Sequence, residues 1–156
     1  MQNSFADTVF FANSGAEANE GALKIARKYQ WERGEKERNE IVCCTSAFHG
    51  RTLTTLSAGD NETYRTGFGP RPEGFRHGAF GNMNEMREAM GAKTAAILVE
   101  PIQGEGGINT ADVEYLKALR QAADEFGALL IFDEIQCGMG RTGKLWAYEW
   151  AGVAPD

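Results

Sequence analysis

Apolar runs and amphipathic segments alternate along most of this chain. Short apolar runs predict β-strands at Thr8–Phe11, Ile41–Thr45, Ala95–Glu100 and Ala128–Phe132. Apolar positions that recur about every 3.6 residues predict helices, at about Ala16–Arg33 and Asp112–Phe126, and Thr52–Ala58 favours a shorter one. Because strands that alternate with helices indicate crossover connections, the sheet is expected to be largely parallel.

The predicted fold class is α/β, with a mostly parallel sheet and helices on both faces. The strands are uninterrupted apolar runs, as expected when both faces of a sheet are covered. Residues 59–82 are rich in Gly, Pro and Asn, so we expect one long loop there. Each polar cluster of the chain follows a predicted strand, which favours a ligand site at the carboxyl edge of the sheet.

Composition narrows the class of protein. The 156 residues are 42% hydrophobic and 24% charged, as in a soluble globular domain. A net charge of −6 argues against nucleic acid as a partner. No stretch of the sequence has the roughly 18 uncharged apolar residues of a membrane-spanning helix. The first twenty residues lack the features of a signal peptide. The three cysteines, Cys43, Cys44 and Cys137, form no disulfide framework, which favours a reduced, cytoplasmic protein.

One glycine-rich segment matches the residue spacing of two nucleotide-binding motifs but lacks other features that each motif requires. Gly138–Gly143 reads G-x-G-x-x-G, but Asp133–Cys137 separate it from the preceding strand and no long helix follows, so a dinucleotide site is a weak hypothesis. With Lys144 the segment nearly forms a P-loop, but Leu145 stands where Mg²⁺ binding needs Ser or Thr. Nucleotide hydrolysis is thus a weak alternative, and no metal site is predicted.

A turn between the first predicted strand and helix suits an anion. Gly15 allows a sharp turn, and the amides of Gly15 and Ala16 would open the helix, where N–H donors and the helix dipole bind phosphate. Ser14 adds a hydroxyl. An ordinary serine N-cap is the alternative.

Polar residues after the other strands suit a flat heterocycle. Asp133 ends an apolar strand, where a protonated ring nitrogen would be a fitting partner, and Gln136 can donate to a neighbouring ring oxygen. Phe48 could stack on a ring and Arg51 could bind a carboxylate, although a core Phe and a surface Arg explain both equally well. Glu105, in a flexible loop after Glu100, is either a gating acid or part of a plain turn.

One ligand satisfies these clusters together: a flat ring with a phosphate, a basic nitrogen and a phenolic oxygen. That description fits pyridoxal 5′-phosphate. The segments FFANSGAEANEGALKIARKY, AFHGRT, ILVEPIQGEGGI and LLIFDEIQCGMGRTGKLWAYEWAGVAPD also resemble the class III (ornithine-type) pyridoxal-phosphate aminotransferases. The resemblance runs from Phe5 to Asp156 and is strongest to members that act on N-acetylornithine in arginine synthesis. It implies part of the large domain of a fold-type-I transferase.

The resemblance implies a role for each candidate residue toward the cofactor. Gly15 and Ala16, with Ser14 beside them, would hold the phosphate, and Phe48 would stack on the ring. Asp133 would pair with the ring nitrogen and Gln136 would contact the ring hydroxyl. The edge that binds the ring would comprise Asp133, Glu134, Ile135 and Gln136.

Toward the substrate, the resemblance implies that Arg51 binds a carboxylate and that Glu105 pairs with a distal arginine and swings away. Glu100 would support Asp133. The reaction would move an amino group from N-acetylornithine, or from ornithine, succinylornithine or 4-aminobutyrate, to 2-oxoglutarate. The family also implies a homodimer.

The lysine that forms the Schiff base in the family is not among the six lysines of this chain. By resemblance it would follow shortly after Asp156, and an N-terminal arm and a C-terminal small domain are missing as well. Residues 1–156 are therefore expected to be the central part of the cofactor-binding domain, inactive by themselves. A truncated chain that acts as a binding or assembly fragment is the non-enzyme alternative.

Overall fold

The computed structural model describes residues 3–156. The first two residues of the predicted domain, and of the segment searched for a signal peptide, lie outside the described residues. The main elements are α1 (Gly15–Glu32), β1 (Glu40–Cys44), α2 (Leu53–Ala58), α3 (Glu62–Arg65), β2 (Phe75–Gly78), α4 (Met83–Ala89), β3 (Thr94–Val99), β4 (Ile102–Gln103), β5 (Asn109–Thr110), α5 (Val113–Phe126) and β6 (Leu129–Phe132). A 3₁₀-helix follows at Ala147–Trp150.

The principal sheet has four parallel strands in the order β2-β1-β3-β6. The predicted α/β class with a parallel sheet is thus confirmed. Parallel strands place their carboxyl ends at one edge, so the segments that follow β1, β3 and β6 meet there. The two-residue strands β4 and β5 pair antiparallel in the segment between β3 and α5.

Helices cover both faces of this sheet, as predicted. Alternate residues of a strand point to opposite faces, and Ile41 packs with α1 while its neighbour Val42 packs with α4 and α5. All six residues of β3 are buried. This two-sided burial is why the strands are continuous apolar runs in the sequence.

Most of the predicted elements are confirmed within one or two residues of their ends. Ser14, Thr52 and Asp112 each cap a helix by accepting a backbone N–H of its first turn, which sets the starts of α1, α2 and α5. Gly127 ends α5 in the left-handed conformation, with φ of 65°.

Two predictions about element boundaries are wrong. Thr8–Phe11 forms no strand: it pairs with none of the described strands, and the Phe11 side chain is 89% exposed. Residues 59–82 are not one loop, because they contain α3 and β2. The sequence of β2 is FRHG, and its polar, partly exposed residues at the sheet edge lack the apolar run that marks the inner strands.

Arg38 joins the end of α5 to the start of β3. Its guanidinium donates to the carbonyls of Phe126 at 2.6 Å, Gly127 at 2.8 Å and Thr94 at 3.2 Å. These carbonyls include ones that the helix leaves without an internal partner, and a cation is favourable at that end of the helix dipole.

Replacing Arg38 with Met keeps the apolar stem and removes the donors. We expect the free energy of unfolding to fall by about 1.5–3 kcal/mol, the range for hydrogen bonds from a charged group. Lys93→Met is the matched control, since Lys93 is exposed and its loss should cost less than about 0.5 kcal/mol. Equal effects of the two substitutions in a urea titration would contradict the assigned role.

Candidate functional site

A cavity of about 230 Å³ opens at the carboxyl edge of the sheet. It lies where the start of α1 meets the segments that follow β1, β3 and β6. Its lining residues are Gly15, Ala16, Asn19, Phe48, His49, Gly50, Glu100, Asp133, Ile135 and Gln136. The structure therefore brings together seven of the eleven residues that the sequence singles out.

The first turn of α1 forms one wall. Ser14 caps the helix by accepting the Glu17 N–H at 3.2 Å. Its hydroxyl therefore has the N-cap role that is the alternative to phosphate binding. Among the described residues, the amides of Gly15 and Ala16 meet no acceptor. They are free donors at a helix N-terminus on the wall of a cavity, which is a setting for an anion.

Two glycines allow the close approach of the segments that build the cavity. A Cβ atom at Gly15 would lie 2.9 Å from the Ile135 side chain. Gly50 has φ of 130°, and a Cβ atom there would lie 2.7 Å from the Cβ of Ala16. Because L-residues rarely adopt this conformation, Gly50 is required both for the turn and for the contact with α1.

The Asp133 carboxylate lies at the base of the cavity and is held by three donors. Its Oδ2 accepts the Asn19 side-chain amide at 2.8 Å and lies 2.7 Å from Nδ1 of His49. Its Oδ1 accepts the Ile135 N–H at 3.1 Å. The Asp133 side chain is only 4% exposed and that of His49 is fully buried.

These contacts keep Asp133 ionised. Burial acts to raise its pKa, but the hydrogen bond and the charge of His49, followed by Asn19 and the Ile135 N–H, lower it below its usual value. Oδ1 has only the one backbone donor and so retains a lone pair for a further donor from the cavity.

Glu100 links β3 to the segment after β1. Its carboxylate accepts the Phe48 N–H at 3.1 Å and, at 3.4 Å, the Gly104 N–H. Burial raises its pKa, the Phe48 N–H and the charge of His49 oppose that rise, and the charge of Asp133 adds to it. Glu100 thus fixes the backbone that carries Phe48 and acts on Asp133 through space.

Phe48 and Gln136 form further parts of the wall. The half-buried Phe48 ring lies edge to face with Tyr64, with centroids 6.3 Å apart. The Gln136 amide packs directly on Gly104, where any side chain would overlap it. Both side chains therefore line the cavity where the sequence places them.

Besides Ser14, three predicted residues are not part of the cavity lining: Arg51, Glu105 and Glu134. Arg51 is exposed and sits over Phe48 on the side of a neighbouring groove. Glu105 is exposed in an adjoining cavity of about 340 Å³, which Phe48 also lines. The Glu134 carboxylate accepts the N–H groups of Ala147 and Tyr148 at 2.7 and 2.8 Å, so it anchors the 3₁₀-helix.

Sequence reasoning missed the parts played by Asn19 and His49. Asn19 lies four residues after Gly15, hence on the same face of α1, and its small polar side chain is a recognisable exception within a buried face. His49 follows Phe48 directly, but nothing in the sequence indicates that it reaches Asp133, 84 residues away.

The nucleotide-binding alternatives fail on structure. Gly138–Gly143 forms consecutive turns, with positive φ at Met139, Gly140 and Gly143, and only a four-residue 3₁₀-helix follows. Residues 3–156 contain no group of three metal-ligating side chains. No helix within that range is long and apolar enough to cross a membrane.

Comparison with known proteins identifies the family of this chain. Residues 1–156 match the family Aminotransferase class-III. The chain belongs to the class III aminotransferases. It is 55% identical to the acetylornithine aminotransferase of Mesorhizobium japonicum over 97% of its length, and 55% identical to that of Methanocaldococcus jannaschii over 96%. It spans 38% of the length of each of these relatives.

Solved structures of aminotransferases share its fold. The ornithine aminotransferase of Toxoplasma gondii matches 93% of the chain with a TM-score of 0.89 and 40% identity, and the chain covers 35% of that protein. An omega-transaminase from Thermomicrobium roseum matches 93% with a TM-score of 0.84 and 37% identity, and the chain covers 37% of it. An amine transaminase from an uncultivated Pseudomonas species, crystallised with pyridoxal phosphate, matches with a TM-score of 0.87.

His49→Leu removes a donor from Asp133. We expect the pKa of Asp133 to rise, because burial then outweighs the remaining donors. Carbon NMR titration of labelled aspartate carboxyls measures this directly. The only other histidine, His77, lies 3.0 Å from the Ala58 carbonyl and provides the control, His77→Leu, which should leave the titration unchanged. An unaltered Asp133 titration in His49→Leu would contradict the proposed network.

Proposed function

We propose that this chain is the central part of the cofactor-binding domain of an aminotransferase that uses pyridoxal 5′-phosphate. The observation that carries the proposal is the ionised Asp133 carboxylate at the base of a cavity whose wall holds free amides at the start of α1. The negative charge of Asp133 and the free amides, which suit an anion, therefore face the same cavity. Family membership and the pyridoxal-phosphate-bound relative support this assignment.

The residues present fit the cofactor. Gly15 and Ala16 would bind the phosphate through their amides, and the Ser14 hydroxyl, which caps the helix, would lie beside it. Phe48 offers an aromatic face to a planar ring. Gln136 would donate to the ring hydroxyl.

Along the edge after β6, Ile135 packs on Gly15, and Glu134 supports that edge by holding the 3₁₀-helix. Asp133 Oδ1 retains a lone pair for a ring N–H. The phosphate, the ring nitrogen and the ring hydroxyl of the cofactor would therefore each meet a complementary group of this chain.

In this proposal, the residues of the chain provide a negative charge next to the cofactor ring and hold the groups that contact it in fixed positions. The chemistry that pyridoxal phosphate would supply when bound here is an electron sink for amino transfer. Asp133 would keep the ring nitrogen of such a cofactor protonated, because its lowered pKa preserves a negative charge at this position. His49 and Asn19 hold the carboxylate in one orientation, and Glu100 holds the backbone of Phe48.

The proposed amino donor is N-acetylornithine and the proposed acceptor is 2-oxoglutarate. The names of the 55%-identical relatives support the donor. Arg51 would bind a substrate carboxylate, and Glu105, exposed in the adjoining cavity, would be the mobile acid that admits different substrates. Ornithine is a second candidate donor, since a protein with a TM-score of 0.89 is an ornithine aminotransferase.

We further propose that residues 1–156 require the rest of a longer chain for activity. The six lysines lie away from the cavity lining, so the lysine that binds the cofactor covalently would come from elsewhere. In this proposal the complete enzyme is a cytoplasmic homodimer. A truncated chain that only binds or assembles is the alternative.

The reading frame separates these alternatives. Sequencing the gene past the codon for Asp156 is expected to reveal a lysine within a few codons, in a glycine-rich context. Replacing that lysine with Ala in the complete protein should abolish amino transfer. A stop codon directly after Asp156 would instead support the truncated fragment.

Asp133→Ala tests the function itself in the complete protein. We expect turnover of N-acetylornithine with 2-oxoglutarate to fall by on the order of 10²–10³-fold, the scale on which one electrostatic contact to a reacting centre acts. Asp7→Ala, at an exposed aspartate, is the control and should retain full turnover. Near-normal turnover of Asp133→Ala would overturn the assignment.

A further inference from the structure

Tyr64 occupies a fixed position next to Phe48 and Arg51. It belongs to α3, which Asn61 caps by accepting the Thr63 N–H at 3.0 Å. Arg65 binds Asp60 and Glu62 at 3.2 and 3.0 Å, and its side chain is only 12% exposed. These contacts hold a four-residue helix that would be unstable alone, because so short a helix has only one turn of internal hydrogen bonds.

The three side chains form a compact group. The Arg51 guanidinium carbon lies 5.4 Å from the centroid of the Tyr64 ring and 5.9 Å from that of Phe48. The two rings meet edge to face at 82°. Both distances lie within the roughly 6 Å over which a ring face attracts a cation.

Arg51 is otherwise unengaged among residues 3–156. It forms no ion pair and no hydrogen bond with any of them, whereas Arg38, Arg65 and Arg120 each bind carbonyls or carboxylates. A cation–π contact holds a guanidinium without using its N–H donors. The two rings therefore restrain Arg51 and leave its bidentate face free for a carboxylate.

We propose that Tyr64 is a positioning residue: its ring holds Arg51 in the orientation that receives the substrate carboxylate. This inference rests on the proposed function, in which Arg51 binds that carboxylate. The ring face makes the contact, so the Tyr64 hydroxyl is dispensable for this role. Tyr64 and Glu105 also line the same cavity, which places the held cation next to the proposed mobile acid.

Steady-state kinetics of the complete, cofactor-loaded enzyme tests the proposal. Tyr64→Leu should raise the KM of N-acetylornithine and of 2-oxoglutarate by about 3- to 30-fold, the range of one cation–π contact, with little change in kcat. Tyr64→Phe should stay within about twofold of the unchanged enzyme, since it keeps the ring face.

The matched control is Tyr29→Leu. Tyr29 also has a guanidinium 5.4 Å from its centroid, that of Arg33, but on the exposed surface of α1 away from the cavity. Its replacement should leave both KM values unchanged. Circular dichroism and thermal unfolding of each variant establish that the compared proteins are folded.

A double-mutant cycle tests whether Tyr64 acts through Arg51. In an Arg51→Gln background, Tyr64→Leu should raise KM by less than about twofold further, because no cation is left for the Tyr64 ring to hold. Full additivity would overturn the proposal. So would an unchanged KM in Tyr64→Leu, or an equal loss in Tyr64→Phe, which would assign the effect to the hydroxyl.

The proposed function is tested separately by the unchanged enzyme. Absence of amino transfer there would refute that function and this inference with it. If the unchanged enzyme transfers amino groups at a normal rate and the Tyr64 variants have the same KM values as it does, only the inference about Tyr64 is refuted.

Discussion

An ionised carboxylate at the end of a buried strand requires donors, and the arrangement of this site follows from supplying them to Asp133. One donor comes from α1, one from the segment after β1 and one from the backbone after β6. The three segments must therefore meet within hydrogen-bonding distance of a single side chain. Gly15 and Gly50 permit that approach, because a Cβ atom at either position would collide with a neighbour.

The same helix that supplies a donor to Asp133 also sets the distance across the cavity. Asn19 follows Gly15 by four residues, a step of about 6 Å along a helix axis. The free amides at the start of α1 and the amide that grips Asp133 are thus fixed relative to each other by helix geometry alone. One rigid element holds free amides at a fixed distance from a carboxylate, an arrangement that suits a ligand with a negative and a positive charge at fixed separation.

Helices and strands could be predicted from the sequence where the pattern that marks them lies within the segment itself. Buried strands such as β3 and the amphipathic α5 were predicted because their apolar patterns do not depend on neighbours. Thr8–Phe11 carries the same apolar signal but forms no strand, since a strand also needs a partner to pair with. β2 shows the converse: pairing with β1 makes a strand of a polar segment that has no pattern of its own.

Some residues of the candidate site could likewise be predicted from the sequence and others could not. Residues at strand ends and helix starts, such as Asp133 and Gly15, could be predicted from position and chemistry. His49 could not, because its role arises from a contact across the sheet. The family resemblance includes Glu134 in the ring-binding edge, and the sequence does not indicate that its carboxylate accepts backbone N–H groups of the 3₁₀-helix.

The distance along the chain between Asn19 and Asp133 has a consequence for biosynthesis. They are 114 residues apart, and at about 5–20 residues per second a ribosome needs roughly 6–23 s to travel from one codon to the other. During that time α1, β1 and β3 can collapse onto one another, but the Asp133 carboxylate has not yet been made and the pocket is incomplete. A ligand that pairs with Asp133 therefore cannot guide the early stages of folding, and it can stabilise only a chain whose β6 has already been made.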